Sequence, residues 1–127
     1  MVTIRPDVEL RVPADSAFVA VLRTTTAGLA ARLDFTLDDI EDLRIAVGEA
    51  CAMVLEQARG DGDLRCTFDL GNGELTVIVS ADADGAREPD RAGFAWQVLT
   101  ALTSRASAEV TPDVLAITLS MKSALLG

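Results

Sequence analysis

The strongest constraint on the fold is a pair of alternating stretches joined by a tight turn. Apolar side chains occupy every second position from Leu64 to Leu70 and again from Leu75 to Val79, on either side of the sequence GNG at 71–73. Successive side chains of a strand point to opposite faces, so this period places all of them on one face. Asn-Gly is also a preferred hairpin turn. The segment therefore predicts a β-hairpin with one apolar face, which other elements have to cover.

Two segments with helical spacing precede this hairpin and can provide the cover. The first, from Ala14 to Leu33, follows a strand-like alternation at residues 7–12. The second is predicted from Leu37 to Ala58, with Thr36 as its N-cap and four acidic residues at 38–42 near the positive end of the helix dipole. The apolar positions of this second helix lie within about 60° of one another. They are Ile40, Leu43, Val47, Ala50 and Val54.

The remaining third of the chain predicts a loop, a helix and a second hairpin. Residues 82–93 are a polar loop whose length is typical of functional loops. A third helix is predicted from Phe94 to about Ser107, and residues 107–121 contain two strand-like stretches separated by a Pro-Asp turn.

The order β-α-α-β-β-loop-α-β-β predicts an α+β fold. We expect a two-layer sandwich in which three helices cover one face of a mixed, mostly antiparallel sheet. A length of 127 residues suits a single domain spanning residues 1–127.

The charge balance argues against direct nucleic-acid binding. The chain has 11 lysines and arginines against 20 aspartates and glutamates, a net charge of -9. Such a chain repels phosphate backbones. The excess acid suits either plain solubility or a partner with a basic surface.

Residue types that are missing or rare exclude several kinds of site. Because the chain has no histidine, a Ser-His-Asp triad and a phosphohistidine are excluded, and no metal site is predicted. We expect Cys51 and Cys66 to be buried thiols. Neither a signal segment nor a membrane span is apparent, which predicts a cytoplasmic protein without membrane contact.

The predicted second helix carries a family resemblance. Its sequence DDIEDLRIAVGEAC at 38–51 resembles the long helix of RsbW-like anti-sigma factors, and GFAWQVLTAL at 93–102 and ITLSM at 117–121 agree with it. These regulators have the histidine-kinase/Hsp90-like (GHKL or Bergerat) ATPase fold, and the chain is most similar to their actinobacterial branch. The resemblance implies a homodimer that binds a sigma factor and a STAS-type anti-anti-sigma factor.

In that family the long helix carries the sequence Glu-x-x-x-Asn. The carboxylate is the general base for a serine of the partner, and the asparagine holds the magnesium of Mg-ATP. The resemblance places Glu49 at the carboxylate and Met53 at the asparagine. A thioether is a poor ligand for a hard cation, so ATP and Mg²⁺ become doubtful cofactors. Considered without the resemblance, Glu49 is a solvated residue at the edge of the helix and Met53 is an ordinary core residue.

The next family motif, Asp-x-Gly-x-Gly, has an aspartate that bonds the adenine amino group. The resemblance assigns this role to Asp82, although strand parity would instead place Ala81 there. Gly85 matches one of the motif's glycines, while Ala86 stands in place of another.

A third family motif precedes the last helix and contributes to phosphate binding. Gly93 matches its first glycine, and Ala95 replaces the second. A glycine before a helix N-terminus is a common phosphate site. On the first helix, the resemblance makes Arg23 a contact for partner proteins; taken alone, Arg23 reads as a surface charge.

Three functions are consistent with these residues. The first is an anti-sigma factor that sequesters an RNA polymerase sigma factor and is countered by a STAS-domain antagonist. The second is an ATP-dependent serine kinase of that antagonist with Glu49 as base. The third is a GHKL-fold adaptor with other partners. Because phosphoryl transfer depends on a correctly placed metal ion, Met53 favours the first and predicts weak or absent kinase activity.

Overall fold

The computed structural model describes residues 5–123 of the chain. In order, the elements are β1 (Val8–Pro13), a 3₁₀ turn (Ser16–Phe18), α1 (Val19–Arg32), α2 (Leu37–Gln57), β2 (Asp63–Gly71), β3 (Glu74–Asp82), α3 (Phe94–Leu102), β4 (Arg105–Val110) and β5 (Val114–Lys122). The predicted α+β order is confirmed.

The five strands form one sheet in the order β1-β2-β3-β5-β4. Every neighbouring pair is antiparallel. The sheet of the described residues therefore contains no parallel pair, whereas the sequence allowed for a mixed sheet.

The β2-β3 hairpin is confirmed with its predicted inward face. Phe68 pairs with Val77, and both side chains are fully buried. Asn72 and Gly73 have φ angles of 56° and 69°, which are the left-handed values that a two-residue hairpin turn of the primed type requires. The turn residues thus set a register that sends one set of side chains to the helix layer.

The long helix α2 connects the two layers. Thr36 caps it, since the Thr36 Oγ1 accepts a hydrogen bond from the Asp39 N–H at 3.1 Å. α2 packs against α1, α3 and the central strands β3 and β5. The predicted stripe is buried except for the half-buried Ile40, and it is wider than predicted: the fully buried members are Leu43, Ala46, Val47, Ala50, Cys51 and Val54.

The start of the first helix differs from the prediction. Instead of a helix from Ala14, the chain forms the short 3₁₀ turn and begins α1 at Val19. The cause is local, because the Asp15 carboxylate accepts a hydrogen bond from the Ala17 N–H at 2.9 Å and caps the tighter turn.

The end of the third helix was predicted wrongly. α3 stops at Leu102, not near Ser107, and residues 105–110 form the edge strand β4. Alanines in this stretch favour a helix locally. Ala106 and Ala108 instead pair with Leu119 and Ile117 of β5, so long-range strand pairing overrides the local preference.

The outer face of the sheet is polar and carries arginine-carboxylate pairs. They are Arg11 with Asp63, Arg65 with Asp82, and Arg105 with Glu74. In residues 5–123, none of the helices combines the length and the apolar character needed to cross a bilayer.

Both cysteines are free and buried, as predicted. Burial raises the pKa of the Cys51 thiol to about 12, an effect that the Arg23 charge partly offsets. Burial also raises the pKa of Cys66, and the neighbouring Cys51 adds to the rise. Both thiols are therefore inert in the folded state at neutral pH.

These pKa values predict that the protein loses stability in alkali. A raised folded-state pKa means that the unfolded chain releases thiol protons above about pH 8.5 while the folded chain keeps them. The free energy of unfolding should then fall by up to about 1.4 kcal/mol per thiol for each pH unit above that value. Urea unfolding at pH 7, 9 and 10 measures the slope. The Cys51→Ala/Cys66→Ala variant should show a shallower slope, and equal slopes would contradict the prediction.

Candidate functional site

One cavity of about 330 Å³ opens where the C-terminal half of α2, the loop after β3 and the start of α3 meet. It is lined by residues from all three segments and one from β5: Met53, Glu56, Gln57, Arg87, Glu88, Pro89, Asp90, Gly93, Phe94, Ala95 and Leu115. These are the three segments to which the family resemblance assigned its motifs.

The α2 side of the cavity is one flank of the helix. Met53 is half-buried, packs against the core and lines the cavity. Gln57 lies one turn further along and also lines it. Glu49 lies one turn before Met53, is half-buried, and is not among the lining residues. In residues 5–123, no side-chain hydrogen bond or ion pair involves the Glu49 carboxylate, so no neighbouring group there orients it as a base.

Gln57 fastens the loop after β3 to the end of α2. Its Nε2 donates a hydrogen bond to the Arg87 carbonyl at 3.1 Å, and the Arg87 N–H donates to its Oε1 at 2.7 Å. Both polar groups of the Arg87 peptide backbone are thereby satisfied by a single side chain. Gln57 was not predicted as a site residue, although its position eight residues after Glu49 and four after Met53 puts it on the same helix flank.

Gly85 turns the chain but does not reach the cavity. Its φ of +69° lies in the left-handed region, where glycine is favoured. Its N–H donates to the Pro112 carbonyl at 2.9 Å, which ties this part of the loop to the β4-β5 turn. The structure therefore separates Gly85 from Met53 and Gly93.

Asp82 also lies away from the cavity. Its Oδ1 accepts a hydrogen bond from the Arg65 Nη2 at 3.1 Å, on the sheet face opposite the helices. Ala81 is the residue that faces the helix layer, with 1% of its surface exposed. Because side chains alternate along β3, the two residues cannot share a face. Of the two alternatives for the adenine-binding position, the geometry favours Ala81, which has no polar side-chain group.

Gly93 is the N-cap of α3 and lines the cavity, as the sequence suggested. A Cβ at this position would lie 3.0 Å from the Asp90 Oδ2 and 3.1 Å from the Asp90 carbonyl oxygen. The Asp90 Oδ1 accepts from the Ala92 N–H at 3.1 Å. The Asp90 carboxylate thus lies beside the N-cap of α3, where its charge would repel an anionic ligand. Within residues 5–123, it makes no capping hydrogen bond to the first turn of the helix.

The charges of the cavity lining are mainly negative. Three carboxylates, of Glu56, Glu88 and Asp90, face one guanidinium, that of Arg87. Arg91 lies next to this group, 3.5 Å from Glu88 and over the ring of the buried Trp96. Phe94 stands at the cavity mouth with 81% of its surface exposed.

Arg23 does not line this cavity. It projects from the exposed side of α1, and its side chain lies against α2 at Gly48. The structure therefore brings Met53 and Gly93 together, and it leaves Glu49, Asp82, Gly85 and Arg23 outside their common cavity.

The Gln57 contact predicts how the loop is held. Gln57→Ala should expose the Arg87 amide and speed its hydrogen exchange by about five- to tenfold, since a net hydrogen bond is worth about 1 kcal/mol. Gln57→Glu, which keeps the acceptor and loses the donor, should give an intermediate rate. Residue-resolved exchange by NMR measures the effect.

Gln97→Ala is the matched control, because Gln97 donates to the Arg91 carbonyl in the same loop at 3.2 Å without touching Arg87. An Arg87 exchange rate that stays at the wild-type value in Gln57→Ala would contradict the assignment of Gln57 as the fastening residue.

Comparison with known proteins identifies relatives of this chain. Proteins named serine-protein kinase RsbW are similar to the chain: that of Halalkalibacterium halodurans is 44% identical over 87 residues, 64% of this chain and 54% of that protein. That of Bacillus velezensis is 39% identical over 80 residues, 61% of this chain and 50% of that protein. The chain spans about half the length of the curated relatives it matches.

A family profile described as the histidine kinase-like ATPase domain matches residues 12–114, from the end of β1 to the start of β5. This range contains all three helices and the whole cavity lining except Leu115. The chain therefore belongs to the histidine kinase-like ATPase domain family.

Proposed function

We propose that this protein is an anti-sigma factor that regulates transcription by sequestering an RNA polymerase sigma factor. A STAS-type anti-anti-sigma factor would release the sigma factor by competing for the protein. The support is the similarity to proteins named RsbW together with the lining of the cavity, which includes the Met53 thioether and three carboxylates. We further propose that the protein acts as a homodimer in the cytoplasm and does not contact DNA directly.

The observation that carries this proposal is the poor fit between the cavity and Mg-ATP. Family membership implies ATP and Mg²⁺ as ligands. At Met53 the cavity offers sulfur where a hard cation prefers oxygen. Asp90 places a carboxylate beside Gly93 at the start of α3, which would repel a phosphate. Ala81, the β3 residue that faces the helix layer, has no polar side-chain group for the adenine. In this proposal the nucleotide pocket is degenerate, and the protein acts without nucleotide chemistry.

Sequestration requires a surface, not a reaction. The net charge of -9 favours partners with basic surfaces and speeds their association at low salt. Arg23 would add one positive contact on the exposed side of α1. Bound in this way, the protein would cover the surface that the sigma factor uses to bind RNA polymerase.

The alternative function is a serine kinase of the antagonist. It is favoured by one finding, the name serine-protein kinase that the similar proteins carry. In this alternative Glu49 would accept the proton of the substrate serine. The position of Glu49 outside the cavity lining argues against it.

One prediction of the proposed function concerns sigma-factor binding. Each sigma factor of the source organism, purified and immobilised, is tested against the protein by surface plasmon resonance without nucleotide, and with 1 mM ATP and Mg²⁺ (about a physiological level). We expect at least one to bind with the same affinity in both conditions. Binding that requires ATP, or phosphate transfer from ATP to a STAS-domain protein, would favour the kinase. Binding to none would contradict the anti-sigma proposal.

Another prediction of the proposed function concerns Met53. Met53→Asn restores an oxygen donor and should strengthen magnesium-dependent ATP binding by about tenfold over a wild-type Kd in the millimolar range. It should also reduce the free energy of unfolding by about 1 kcal/mol, because Met53 packs partly against the core.

Isothermal titration calorimetry with ATP, with and without Mg²⁺, measures the change. Met53→Leu is the control that keeps the apolar contact and adds no oxygen, and it should bind like the wild type. If both variants bind ATP equally, Met53 has no part in the loss of nucleotide binding. Micromolar binding by the wild type would contradict the degenerate pocket.

A further inference from the structure

A glycine in the middle of α2 accommodates a side chain from α1. Gly48 is half-buried and lies in the interior of a 21-residue helix, where glycine is the poorest residue after proline. A Cβ built on Gly48 would lie 3.3 Å from the Arg23 Cδ and 3.7 Å from the Arg23 Nη1. The Arg23 side chain thus lies directly over the backbone of α2, in space that any other residue would occupy.

The guanidinium held in this position is charged and unpaired. In the described part of the chain, no carboxylate lies within ion-pair distance of Arg23 and no hydrogen bond to its side chain is found. Its charge nevertheless acts on α2 three residues beyond Gly48, since it partly offsets the rise that burial causes in the pKa of Cys51. Arg23 is exposed, so its five N–H donors remain free for a carboxylate.

A second helical glycine has no such neighbour. Gly28 of α1 has nothing within 4 Å of its Cβ position. Both glycines lower the stability of their helix, because glycine is a poor helix former. Only Gly48 also leaves space for Arg23. A substitution at Gly28 therefore measures the helix effect alone, and a substitution at Gly48 measures the helix effect together with the contact to Arg23.

We propose that Gly48 is a positioning residue that holds Arg23 against α2 and directs its guanidinium toward an acidic side chain of the bound sigma factor. The proposal rests on the proposed function, in which Arg23 contacts that partner. Holding a long side chain in one conformation before binding reduces the entropy lost on association. A methyl group at position 48 would shift Arg23 by a few tenths of an ångström, and a larger side chain would displace it.

The test combines five variants with two measurements. The variants are Gly48→Ala, Gly48→Leu, Gly28→Ala, Arg23→Ala and the double variant Gly48→Leu/Arg23→Ala. The first measurement is the Tm, and the second is the affinity for the sigma factor that binds in the screen described above, at 50 mM and 200 mM salt, roughly the range over which exposed ion pairs become screened.

Stability and affinity should change in opposite directions at Gly48. Gly48→Ala and Gly28→Ala should both raise the Tm by about 2–4 °C, because alanine is the better helix former. Affinity should fall about threefold in Gly48→Ala and about tenfold in Gly48→Leu and Arg23→Ala. Gly28→Ala should bind like the wild type. The double variant should bind like Arg23→Ala, and both should lose part of the salt dependence.

The failures of the two proposals are distinguishable. If no sigma factor binds the wild type, the proposed function fails and the role of Gly48 fails with it. If the wild type binds and Arg23→Ala or Gly48→Leu leaves the affinity unchanged, only the positioning role is overturned. Additive losses in the double variant would overturn it as well. Should Gly48→Leu lower the Tm, a sixth variant, Gly48→Ala/Arg23→Ala, takes the place of the first double variant. Additive losses in it, or an unchanged affinity in Gly48→Ala, would then overturn the positioning role.

Discussion

The packing of α2 on the central strands β3 and β5 is the contact on which the rest of the structure depends. Fully buried side chains from the helix, among them Val47 and Val54, meet the apolar face that the two strands present. At about 25 cal/mol per Å² of apolar surface, such a face supplies most of the driving force that a chain of this size can gather. Because a helix has several sides, the same packing also fixes which side meets α1 and which side is left for the cavity.

These two remaining sides of α2 serve different purposes. The flank with Met53 and Gln57 forms the wall of the cavity and holds the loop that closes it. The side with Gly48 receives Arg23 from α1. In the proposed function, a partner protein that binds near Arg23 need not enter the cavity, so sequestration does not require nucleotide chemistry there. This separation explains how a member of an ATPase family can be proposed to act by binding alone.

The loop that lines the cavity is held by hydrogen bonds within the protein. Two bonds with Gln57 fix Arg87, and Gly85 is tied to Pro112. Asp90 bonds to Ala92 and lies beside Gly93 at the start of α3. Together these contacts anchor the loop to the end of α2, to the β4-β5 turn and to the start of α3.

The sequence by itself determined the features that depend on neighbouring residues. The Asn-Gly turn, the period-two alternation beside it and the Thr36 cap are local, and each was predicted correctly. The family motifs singled out Met53 and Gly93, which both line the cavity, while their role in binding stays a prediction. Tertiary structure decided the rest, because the deciding partners are distant in the chain. Pairing with β5 ended α3 early, and the approach of two helices placed Arg23 on Gly48. Neither contact has a local signal, since each depends on where a separate segment lies once the core has formed. For Asp82 the strand parity gave a signal, and the structure decided between the two alternatives by placing Ala81 on the face toward the helices.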